Sequence, residues 1–118
     1  MSGMQEFRQT TTTTIANGAS QSAAIDITDR GRLLLCIQMP AAWTAANITF
    51  LASNDGVTYG PVYDQYLELT VYNVAALAYL AVPYWKFMGM RYLKIRSGTA
   101  GTPVNQGAGR TLTLVIGS

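Results

Sequence analysis

The sequence predicts an all-β domain: a single antiparallel β-sandwich, jelly-roll-like, with an extended N-terminal arm. Three observations carry this. Short segments alternate apolar and polar side chains in steps of two, as in Ala23–Thr28, Asn47–Ser53, Arg91–Arg96 and Arg110–Ile116. Turn signals separate them, Asn17-Gly18 and Asp55-Gly56 above all. No stretch sustains a helical apolar period. A chain of 118 residues matches one domain of roughly 100–200 residues, divided here into an arm over 1–16 and a sandwich over 17–118.

Each element follows from its residues. The first nine residues have no period and read as arm. Thr10–Thr14 is a run of β-branched residues that crowd a helix and favour extended backbone. With no apolar face, it is either an edge strand or an arm pairing with another chain. Ala16-Asn17-Gly18-Ala19 is a hairpin turn. Ala23, Ile25 and Ile27 form one face of a half-buried strand, and Asp29-Arg30-Gly31 turns the chain. In Arg32–Gln38, Leu33, Leu35 and Ile37 fill one face and Leu34 and Cys36 the other, so both faces are expected to be covered. Pro40 ends that strand, since it cannot donate to a ladder. Ile48, Phe50 and Ala52 share a face of the next strand. Val57–Tyr66 is aromatic and broken by Gly60-Pro61, and Leu67–Val71 reads as a short strand. Val74–Val82 contains good helix formers, but Pro83 biases its end to extended backbone; a strand near Tyr79–Val82 is favoured over a helical turn. Pro83–Met90 is a compact turn anchored by Trp85 and Phe87, and Ser97–Gly109 a long flexible loop.

Composition narrows the function. With no His and one Cys, a Ser-His-Asp or Cys-His relay, a His-bearing zinc or haem site, an intrachain disulfide and an iron–sulfur cluster are all excluded. The expectation is a protein that is not an enzyme and carries no cofactor. Charged residues make up 12% of the chain, about half the ~25% usual for a soluble domain, which suggests that much of the surface meets protein rather than water. MSGMQEFRQT lacks the apolar core of a signal peptide, and the longest apolar run, Val74–Val82, falls far short of the ~20 residues that span a bilayer. Synthesis in a cytoplasm without membrane insertion is therefore expected, and Cys36, inside RLLLCIQ, reads as a buried, inert thiol.

Candidate sites weigh differently. Asp64 and Glu68 would stand roughly 13 Å apart on one extended strand, too far for a glycosidase pair. Ser53-Asn54-Asp55-Gly56 lacks the alternating ligands of a calcium loop and reads as a turn. Ser97–Gly109 has no Gly-Lys-Ser/Thr, so phosphate binding is set aside, and Asn47-Ile48-Thr49 matters as a glycosylation sequon only if the chain is secreted. Arg91, Lys94 and Arg96 beside Tyr92 could bind single-stranded nucleic acid, but six carboxylates nearly balance eight bases; an outer sheet face with snorkelling side chains is preferred. All seven tyrosines lie between Tyr59 and Tyr92, with Trp43 preceding them and Trp85 and Phe87 among them. Tyr79 and Trp85 are expected in the core. Tyr59, Tyr63 and Tyr66 are expected on the surface, where such side chains anchor interfaces. They would face a protein or a sugar ring, with Asn54, Asp55 and Asp64 available for hydroxyls.

Three segments resemble small virion proteins of tailed bacteriophages: ANITFLASNDGVTYGPVYD (Ala46–Asp64), YLAVP (Tyr79–Pro83) and FMGMRYLKIRSGTAGTPVNQGAGRTLTLVI (Phe87–Ile116), about half the chain. A fainter likeness is to galactose-binding-like sandwiches. The resemblance implies a non-enzymatic β-sandwich of the virion. The preferred reading is a capsid decoration or cement protein that binds across major capsid protein subunits and self-associates as a dimer or trimer. Its expected contacts are Thr10, Thr11, Thr12, Thr13, Thr14 and Ile15, adding a strand to a neighbour's sheet, together with Trp43, Tyr59, Tyr63 and Tyr66. The alternatives are a neck or tail connector, or a carbohydrate-binding spike module using Tyr59, Tyr63, Asp64 and Trp43.

Overall fold

The computed structural model describes residues 8–27 and 32–117. The expected turn at Asp29-Arg30-Gly31 and the first seven residues of the expected arm lie outside these. The strands are β1 (Arg8–Ile15), β2 (Ile25–Asp26), β3 (Leu33–Gln38), β4 (Ile48–Ser53), β5 (Gly60–Pro61), β6 (Tyr63–Asp64), β7 (Leu67–Glu68), β8 (Tyr79–Ala81), β9 (Tyr92–Ser97) and β10 (Arg110–Gly117); a 3-10 turn covers Tyr84–Phe87. One sheet has the order β1-β10-β3-β8 and the other β2-β9-β4-β5, while β6 and β7 form a separate hairpin. Without that hairpin, the eight sandwich strands run first-eighth-third-sixth and second-seventh-fourth-fifth. This is the jelly-roll order, two Greek keys folded over each other. All named strand pairs are antiparallel.

Alternation builds the core. Leu112, Leu114 and Ile116 from β10, and Leu93 and Ile95 from β9, bury one side of each strand and meet Ile48 and Phe50 between the sheets. Each such side chain contributes about 1.5–3 kcal/mol by leaving water. Phe87, carried by the 3-10 turn, closes one end of this core with its ring edge-to-face on Phe50, centroids 4.9 Å apart.

Several expectations are corrected. Residues 8–15 are an edge strand of the sandwich and not the end of an arm: β1 pairs with β10 from Arg8↔Gly117 to Ile15↔Arg110, and Thr13 and Ile15 are buried. The chain's own last strand offers the threonines a ladder, and the Asn17-Gly18 turn continues the chain into Ser22, which bridges Ile15. Both faces of β3 were expected to be covered, with Leu33, Leu35 and Ile37 on one and Leu34 and Cys36 on the other; the buried residues are Leu34 and Ile37, and Leu33 and Leu35 are half-buried. Val115 faces Cys36 while Ile116 faces Leu34, so Leu35 is an extra residue on β3, and the resulting bulge reverses the phase of the strand. Cys36 is half-buried rather than buried.

Tyr79 is 69% exposed and Trp85 58% exposed, so neither is core. Leu80 and Val82 take the inward positions, which turns Tyr79 outward, and Phe87 fills the core position expected of Trp85. The segment 97–109 is pinned rather than flexible. Gln106, 1% exposed, donates to Thr44 O (3.1 Å) and Ser97 Oγ (2.7 Å) and accepts from Thr44 N (2.8 Å) and Arg110 Nε (3.1 Å). That satisfies both donors and both lone pairs of the amide. Gly98 is obligatory there: its φ is +90° and an added Cβ would lie 2.5 Å from Thr102 O.

Candidate interaction surface

The connection from β5 to β8 departs most from the plain sandwich. Its two ends are fixed. Val62 and Leu69 are buried, Val62 N donates to Phe50 O and Leu69 N to Val62 O, and Val71 bridges Ile48. Between Val62 and Leu69 the chain projects as the β6–β7 hairpin, turning over Gln65-Tyr66.

Two ion pairs hold the hairpin. Glu68 receives Arg96 Nη2 and the backbone N of Ala100, with side chains only 7% (Arg96) and 13% (Glu68) exposed. Arg96 Nε also donates to Thr49 Oγ1 (3.0 Å), and that hydroxyl donates to Gly98 O (2.7 Å). At the other strand of the hairpin Asp64 pairs with Lys86 of the 3-10 turn. This outer face of β4 and β9 was expected to be solvated. The hairpin instead covers its Arg96 end through Glu68, Tyr59 lies against Lys94, and Arg96 is withdrawn from any basic stripe.

The tip is held but not covered. Tyr66 is 90% and Leu67 71% exposed; Tyr63, Tyr72, Leu77 and, from the turn, Trp85 and Met88 are exposed as well. Asp64, Leu67, Glu68, Leu69, Tyr72 and Lys86 line a cleft of about 210 Å³, smaller than the ~300–1,000 Å³ typical of small-molecule sites. Among the described residues, the non-glycine residues with positive φ are Gln65 (59°), Asn73 (59°) and Leu77 (64°), all within this one connection. Left-handed backbone costs an ordinary L-residue roughly 1–2 kcal/mol. Such strain collects where function, rather than stability, dictates the shape.

The other expected contacts are dispersed. Tyr63 and Tyr66 lie on the hairpin. Tyr59 lies beneath Lys94, whose Nζ is 4.3 Å from the ring centre, and burial raises its phenol pKa, with Tyr92 adding to the effect. Trp43 packs against the core and donates Nε1 to Ala46 O (3.1 Å). Thr10–Ile15 belong to β1. Asp55 is a turn residue: its Oδ1 accepts from Thr58 N, Val57 N and Ser53 Oγ, and these bonds lower its pKa to about 2. Sequence reasoning missed Leu67, Tyr72, Leu77, Trp85 and Met88. For Trp85 the signal was present, since the turn has room for one inward aromatic and Phe87 is the more apolar.

Among the described residues no three of His, Cys, Asp and Glu cluster to hold a metal, and no helix is long and apolar enough to cross a membrane. No protein-family model and no curated protein sequence matches the chain. Its fold is similar to that of the SPBc2 prophage-derived protein YomS, known from a crystal structure. The TM-score is 0.56 at 11% identity, over 99% of this chain and 100% of that one. At such identity the likeness is one of fold.

Proposed function

We propose that this chain is a non-enzymatic structural protein of a phage virion, acting as a capsid decoration protein that binds across major capsid protein subunits. The observation that carries the reading is the β6–β7 hairpin: an anchored projection, with Gln65 at positive φ, that exposes Tyr63, Tyr66 and Leu67 and shares a cleft with Tyr72. Interface anchors have this composition, large amphipathic side chains that lose little entropy when buried. A jelly roll shared with a prophage-derived protein supports the phage setting. A clamp of this kind stabilises by mass action, because its binding energy is gained only in the assembled particle.

The test is binding of the purified chain to particles that lack it. Tyr66→Ala combined with Leu67→Ser should lower particle occupancy at least tenfold. Its melting temperature should stay within a few degrees of wild type, since exposed substitutions usually change stability by less than ~0.5 kcal/mol. Hundreds of copies per particle are expected; about a dozen would place the chain at the neck or tail. Undiminished occupancy of the double variant would reject the hairpin as the contact.

A further inference from the structure

Of the five asparagines, only Asn17 precedes a glycine. That dipeptide can react without a catalyst. The backbone nitrogen of the second residue attacks the side-chain amide carbon, ammonia leaves and a succinimide ring forms; water then opens the ring to aspartate or isoaspartate. Asparagine is thermolabile for this reason, and glycine, lacking a Cβ, hinders the attack least. Asn47, Asn54, Asn73 and Asn105 are followed by Ile48, Asp55, Val74 and Gln106, whose side chains crowd the approach. Asn17 is exposed, so water reaches its amide.

The fold blocks this step at the nucleophile. Ala19 N donates to Ala16 O (3.0 Å), Gly18 has φ +79° and Asn17 has negative φ. Residues 16–19 therefore form a type II turn, in which ψ of the second residue is about +120°. Ring closure requires Gly18 N to eclipse Asn17 Cβ, and at that ψ it points away. The Gly18 amide is also committed, donating to Gln106 O (2.8 Å), while Gln106 N donates to Ala19 O (2.9 Å) and Ser97 N to Ser20 O (2.7 Å). Gln106 is itself fixed by its side-chain bonds to Thr44, Ser97 and Arg110. The amide must be released and rotated before it can lose its proton and attack. Asp55-Gly56, the other pair open to succinimide chemistry, is shut in the same way: Gly56 N donates to Ser53 Oγ (2.9 Å), and the Asp55 carboxylate is held by Val57 N and Thr58 N.

We propose that Asn17 is a latent deamidation site, closed in the folded chain by the bond from Gly18 to Gln106 and opened to reaction when segment 97–109 parts from the 16–19 turn. Asn17 Cγ then gains a bond to Gly18 N and loses its bond to the side-chain nitrogen, which departs as ammonia carrying the Gly18 proton. Water attack on the main-chain carbonyl of the ring leaves isoaspartate, with the backbone running through Cβ and Cγ and longer by one carbon. The bonds from Ala19 N to Ala16 O and from Gly18 N to Gln106 O both span that longer path, so the reaction removes the closure that had prevented it. Attack on the other carbonyl leaves ordinary aspartate. Either product replaces a neutral amide by a carboxylate and lowers the net charge of +2 by one.

The test follows Asn17 in the full chain at mildly alkaline pH, where the attacking nitrogen loses its proton more readily. The tryptic peptide Gln9–Arg30 contains Asn17 and no other asparagine, so its change from amide to acid in mass spectrometry reads the conversion. Folded wild type should convert at least about tenfold more slowly than the same chain in guanidinium chloride, because the reaction waits on local opening. The Gly18 amide should be protected from hydrogen exchange. Gln106→Ala, shown to be folded by circular dichroism, should convert at least about threefold faster than wild type, since opening is easier. A folded wild type that converts at the rate of the unfolded chain overturns the inference. So does a Gly18 amide that exchanges as freely as in the unfolded chain, or a folded Gln106→Ala no faster than wild type. If Gln106→Ala does not fold, wild type in guanidinium below its unfolding midpoint takes its place: conversion should rise in step with Gly18 exchange, and a conversion rate that stays flat while exchange rises overturns the inference as well.

Discussion

Glu68→Ala isolates the physics that holds the hairpin. In the folded protein the Arg96 guanidinium is nearly dry, with Glu68 as its counter-charge and Thr49 Oγ1 as a neutral acceptor. Removing one member of a fully buried pair costs about 3–5 kcal/mol, because the other charge remains without compensation. The Glu68 side chain keeps 13% exposure, so water reaches the site and the lower end, about 3 kcal/mol, applies. Unfolding entropy of ~2.1 cal/mol/K per residue, scaled to this chain, gives roughly 0.25 kcal/mol/K, so the melting temperature should fall by about 12 °C. Differential scanning calorimetry reads this directly. Arg96→Met with Glu68→Ala removes both charges and should recover most of the loss, since apolar replacement of a buried pair is often neutral. A fall below about 4 °C (~1 kcal/mol) in Glu68→Ala, or a double variant no better than the single one, would refute the account.

Two further outcomes follow from the cited geometry. Gln106→Ala strips partners from Thr44 and Ser97 and should cost about 3 kcal/mol in urea unfolding, since each orphaned buried group loses ~1–3 kcal/mol. Asp55 has its folded pKa depressed to about 2 from 3.8 by the Thr58 and Val57 amides and the Ser53 hydroxyl. Its stabilisation is therefore complete above pH ~4 and lost as pH falls toward 2, and the urea midpoint of Asp55→Asn should lose this part of the acid dependence.

The strands were legible because alternation is a local signal. Leu112-Thr113-Leu114 or Ile48-Thr49-Phe50 announces its period whatever the rest of the chain does. The jelly-roll order is legible only in part, since pairing β1 with β10 joins residues about a hundred positions apart. The bulge at Leu35 escaped because it depends on the partner strand's register, and an LLLC run reads equally well in either phase. The hairpin turn at Gln65-Tyr66 carries no Asn-Gly or Asp-Gly signal; tertiary support from Glu68 and Asp64, not turn chemistry, holds Gln65 at positive φ. Arg96 looked like a surface base because its neutralising partner is 28 residues away. Tyr63 and Tyr66 were found because they follow a Pro-broken segment too polar to be core.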